Sequence, residues 1–97
     1  MSLYAMGAQS AANKETRILR LKAYLNTVST ENYNSLIALR EKAQVYSWKT
    51  LESYLHIIES KYGSTLTKTG KANLIIAKRE ATYLAKVQQK AKSKQYH

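Results

Sequence analysis

From Ala72 to Gln95 no residue breaks a helix, and the 97-residue chain holds no proline at all. This run constrains the fold more than any other feature. At 1.5 Å per residue it would span about 36 Å, more than a domain this small can cover. Leu74, Ala77, Ala81, Leu84 and Ala91 recur in helical register along it, with Gln88 the one polar residue on the seam, and Ile76, Tyr83 and Val87 widen the stripe. An apolar stripe on a helix that protrudes from a small domain usually pairs with its own copy. The run is therefore expected to build a homodimer interface through Leu74, Ala77, Ala81, Leu84 and Val87. The alternative is a helix that folds back on its own domain.

The chain ahead of this run is expected to form a compact helical unit over 13–71. Ile18, Leu21, Leu25 and Val28 recur every three or four residues, with Lys14, Arg17, Arg20 and Lys22 on the opposite face. That pattern predicts an amphipathic helix over 13–28, opened by Asn13. Residues 1–12 are weakly patterned and read as a flexible arm. A Ser/Thr/Asn-rich loop over 27–34 leads to a helix cap at Asn34 or Ser35. Leu36, Leu39 and Ala43 then share one helical face, Val45 follows as an apolar plug, and Tyr46-Ser47 breaks the helix. Ser47 can cap the next helix by accepting from a free backbone N–H. Leu51, Leu55, Ile58 and Tyr62 form its buried stripe, so it is expected to run from about Trp48 to Tyr62. Gly63 fits the left-handed position that stops a helix. Thr65-Leu66-Thr67 alternates at strand period and Thr69-Gly70 signals a turn, so a short β wing is expected there.

The net charge is +10, and it is lopsided. Residues 1–60 hold seven Lys/Arg against five Glu, whereas residues 61–97 hold nine against one. Such a surface suits a polyanionic partner. With no Cys there is neither a disulfide nor a thiolate site, and Asp is absent too. The two His and six Glu do not converge in the pattern, so no catalytic or metal-binding set is expected and no cofactor is implied. The start lacks the form of a signal peptide and no apolar run approaches a membrane span, which leads to an expected cytoplasmic, nucleoid-associated location.

Two short helices about the Gln44–Ser47 turn, with Ala43 at the crossing, resemble the helix-turn-helix of DNA-binding proteins. With the expected wing and the long last helix, the chain is similar to small archaeal, PadR-like winged helix-turn-helix proteins. These include plasmid partition-site binders and viral or plasmid regulators. The chain departs from the motif at Gln44, where glycine is common, and its turn reads one residue long. The resemblance implies a mainly α winged helix that binds double-stranded DNA as a homodimer, for transcription regulation or plasmid partition, possessing no membrane role.

In that motif the first residues of the second helix reach base edges. Lys49 would meet guanine acceptors, and Thr50 and Ser53 a base or a phosphate. Tyr46, Ser47 and His56 lie alongside, and Trp48 either stacks on the DNA or packs half-buried. Arg40, Lys42 and the wing cations Lys61, Lys68 and Lys71 would follow the phosphates. Two other functions fit the charge and the long helix: a sequence-independent protein that coats DNA, and an adaptor whose helix pairs with another protein, with a partition ATPase among the conceivable partners.

Overall fold

A computed structural model describes residues 3–30 and 35–95, with side chains placed over 14–30 and 35–91. Helix α1 runs Leu3–Thr27, α2 Leu36–Ala43, α3 Trp48–Ile57 and α4 Lys68–Gln95. A π-helical turn, Ile58–Tyr62, and a 3-10 turn, Gly63–Thr65, join α3 to α4. The first helix thus begins at Leu3, ahead of the expected start at Asn13, and takes in most of the stretch read as an arm.

The caps expected around the central turn are in place. Ser35 Oγ accepts from Ala38 N at 3.2 Å, and Ser47 Oγ accepts from Thr50 N at 3.1 Å. Between them Gln44 takes the left-handed conformation, with φ at 55°, and its N–H closes the end of α2. Val45 is buried behind it, as a plug should be. The apolar stripe of α3 continues through the π-helical turn: Leu51, Leu55 and Ile58 are fully buried and Tyr62 is packed against them.

The β wing does not exist: no strand is present among the described residues, so the winged-helix architecture is overturned in favour of an all-helical one. Thr65 closes the 3-10 turn, Leu66 is buried in the core, and Thr67 caps α4 by accepting from Gly70 N at 3.0 Å. Three residues of strand-like alternation lose to a threonine whose hydroxyl can satisfy a helix start. Lys68, Thr69, Gly70 and Lys71 are consequently the first turn of α4. Gly63 is not a left-handed stop either, since its backbone is right-handed helical at φ −54°.

The same junction explains Gly70. Asn26 Oδ1 accepts from Thr67 N and Thr67 Oγ1 at 3.0 and 3.2 Å, and a Cβ on Gly70 would lie 2.0 Å from that oxygen. One turn on, Asn73 is fully buried, and its Nδ2 donates to the carbonyls of Leu25 and Val28 at 2.8 and 2.9 Å. These carbonyls belong to the end of α1, where backbone acceptors lack helical partners.

The long last helix folds back on its own domain. Leu74, Ala77 and Ala81 are buried with Ile18, Leu21 and Leu25 of α1, with Leu51 and Leu55 of α3 and with Ile58 of the π-helical turn. The dimer seam expected through Leu74, Ala77, Ala81, Leu84 and Val87 is therefore mostly an intramolecular contact. The face of α1 that covers α4, Ile18, Leu21 and Leu25, lies within the stretch expected to be the first helix. Leu84 lines a groove with Leu36, Ile37, Trp48 and Ile76, and Val87 stays 45% exposed. No described helix is long and apolar enough to cross a membrane.

Candidate nucleic-acid interface

Helix α3 packs chiefly against α4 and only lightly against α1, and one narrow face stays open to solvent. Lys49, Ser53, His56 and Ser60 are exposed at helical spacing, while Leu51, Glu52, Tyr54, Leu55 and Ile58 are buried. On one side a cleft is lined by Lys14 of α1 together with Lys49, Thr50, Ser53, Tyr54 and Ile57. On the other, Ser47 and Lys49 border Ala85, Gln88 and Gln89 of α4. Lys86 and Lys90 are exposed on that helix, and Lys86 lies one turn from Gln89. Lys14 thus borders the α3 strip, and tertiary packing alone brings it there.

The carboxylates of α3 and of the π-helical turn after it, Glu52 and Glu59, are each paired with a lysine. Glu52 is buried, and its carboxyl is held below the ordinary value of 4.5 first by a hydrogen bond from Thr82, then by Lys49 at 3.1 Å. Glu59 is held low by Lys78 at 2.5 Å. The ion pair with Glu52 engages the Lys49 ammonium, while the side chain as a whole is 78% exposed.

The remaining expected contact residues divide. Ser47 and Thr50 are engaged in the cap, with Thr50 Oγ1 also donating to Ser47 Oγ at 3.3 Å. Ser53 Oγ donates to Lys49 O at 3.1 Å, leaving its oxygen free to accept. Trp48 is half-buried: its ring lies under the Arg40 guanidinium, 4.3 Å from the ring centroid, and its backbone N–H donates to Gln88 Oε1 at 3.4 Å. Arg40 also donates through Nη2 to the Tyr46 carbonyl. Tyr46 itself is 91% exposed at the tip of the turn, and Lys42 is exposed on α2.

Lys61, Lys68 and Lys71 do not join this group. Lys61 sits 3.5 Å from Glu15, whose carboxyl is held low mainly by the Tyr62 hydroxyl. Gln88 marks the α3 N-terminus on α4, and Lys71 lies 17 residues earlier, about 26 Å along the helix axis. Cations expected on a wing beside the second helix are thus at the far end of the molecule.

Among the described residues no group of three or more His, Cys, Asp or Glu is placed to hold a metal ion. The chain matches no protein family, no curated protein and no solved structure.

Proposed function

We propose that the protein binds duplex DNA, with the α3 strip of Lys49, Ser53 and His56 in the major groove and Lys14, Lys86 and Lys90 on the flanking phosphates. The observation that carries this reading is an exposed helix face bordered by Lys14, with Glu52 of α3 engaged by Lys49 and Glu59 of the following turn engaged by Lys78. Phosphate contacts would supply the affinity, and Lys49 and Ser53 the base preference. The role is that of a regulator or a partition-site binder. DNase footprinting on the DNA flanking the gene tests it: a bounded protected site supports the proposal, and the absence of any protection in low salt overturns it.

A sequence-independent coating protein is the second reading. It is favoured by the outward face of α4, where Lys68, Lys71, Arg79, Lys86 and Lys90 are all exposed along the helix. Competition with excess unrelated DNA separates the two, since only a site-specific binder retains its footprint.

A further inference from the structure

A second feature lies on the other side of the turn. Arg17 of α1 and Arg40 of α2 line one cleft of about 570 Å³ with Ile37, Glu41, Gln44, Val45 and Tyr46. That volume is in the usual range of roughly 300–1,000 Å³ for small-molecule sites. The Nε atoms of both arginines are buried and have no hydrogen-bond partner among the described residues. Arg40 is held in place by the Trp48 ring and the Tyr46 carbonyl, which use only part of its donor fork. Tyr46 presents an almost fully exposed ring at the mouth, and Ile37, 62% exposed, and buried Val45 supply apolar surface. Two guanidiniums from different helices suit a phosphate. An exposed aromatic face beside them suits a base, and Glu41 and Gln44 of the same lining carry groups that can bond a base edge.

We propose that this cleft binds a nucleotide unit, with Arg17 and Arg40 on the phosphate and Tyr46 stacked on the base. The unit is either a free mononucleotide or a nucleotide turned out of a DNA strand. The site uses neither Lys49 nor the α3 strip, so it stands apart from the duplex reading.

Trp48 is the only tryptophan and touches Arg40, which makes it a built-in reporter. The full chain is titrated with AMP, with inorganic phosphate, and with a single-stranded oligonucleotide carrying 2-aminopurine. Saturable change in Trp48 emission with AMP assigns the free ligand; a change only with the oligonucleotide, accompanied by altered 2-aminopurine emission, assigns the strand. Arg17→Gln is expected to weaken either response about tenfold or more. Arg17→Lys, which keeps the charge but loses the fork, covers the case in which the glutamine variant folds poorly. Tyr46→Ala is expected to weaken nucleotide binding about tenfold and to leave phosphate binding unchanged, whereas Tyr46→Phe retains both. The proposal is overturned by no saturable response to either nucleotide form, by phosphate binding as tightly as AMP, or by arginine variants that bind as the parent does. Lys49→Ala should relax the site preference of the duplex footprint and spare the nucleotide response, so failure of one reading is distinguishable from failure of the other.

Discussion

At the scale of single residues, Gln44 takes a backbone conformation that costs an L side chain about 1 kcal/mol or more and glycine much less. Gln44→Gly should therefore stabilise the protein by roughly 0.5–1 kcal/mol. Thermal unfolding would show it as a rise of about 2–8 °C in Tm; an unchanged or lower Tm would contradict the assigned turn. Asn73 works in the opposite direction. Asn73→Ala strands the Leu25 and Val28 carbonyls in the core and should cost about 2–4 kcal/mol, measurable by urea unfolding. Glu52 gives the pH dependence. Its folded-state pKa is depressed by Thr82 and Lys49, so its contribution is present above the ordinary value of 4.5 and is lost as pH falls through the lowered value. Glu52→Gln should flatten the acid side of the stability profile and change its neutral-to-basic side only by a constant offset.

At the scale of elements, the sequence was legible where local chemistry decides. The Ser47 cap, the Val45 plug and the buried stripe of Leu51, Leu55 and Ile58 follow from hydroxyl placement and helical period, and all three stand. It misled where a distant partner decides. Thr67 reads as strand until Asn26 is found accepting from it, and Gly70 reads as a turn until α1 is found pressing on it. The stripe on α4 was visible, but its partner was not, because a seam of Leu and Ala serves equally a second copy or the same chain. Ala81 distinguishes these arrangements. It is fully buried among α1, α3 and α4 residues, so Ala81→Leu should overpack the core and cost about 1–3 kcal/mol. On a helix–helix seam between copies, where leucine is favoured, the same change would raise the midpoint with protein concentration.

At the scale of the whole molecule, the candidate interface was half legible. The α3 strip follows from the helix-turn-helix pattern, while Lys14 comes beside it only through the packing of α1. The wing cations fell away for the same reason, since Lys68 and Lys71 are carried to the opposite end of α4. The claim that this strip meets DNA is tested most directly by fluorescence anisotropy of a labelled duplex across a salt series. The slope of log K against log salt is about −0.9 per neutralised phosphate. Lys14→Ala and Lys86→Ala should each make it shallower by about one phosphate contact, whereas Lys68→Ala should leave it unchanged. Equal slopes for the parent and both of these variants, or a loss confined to Lys68→Ala, would contradict the account.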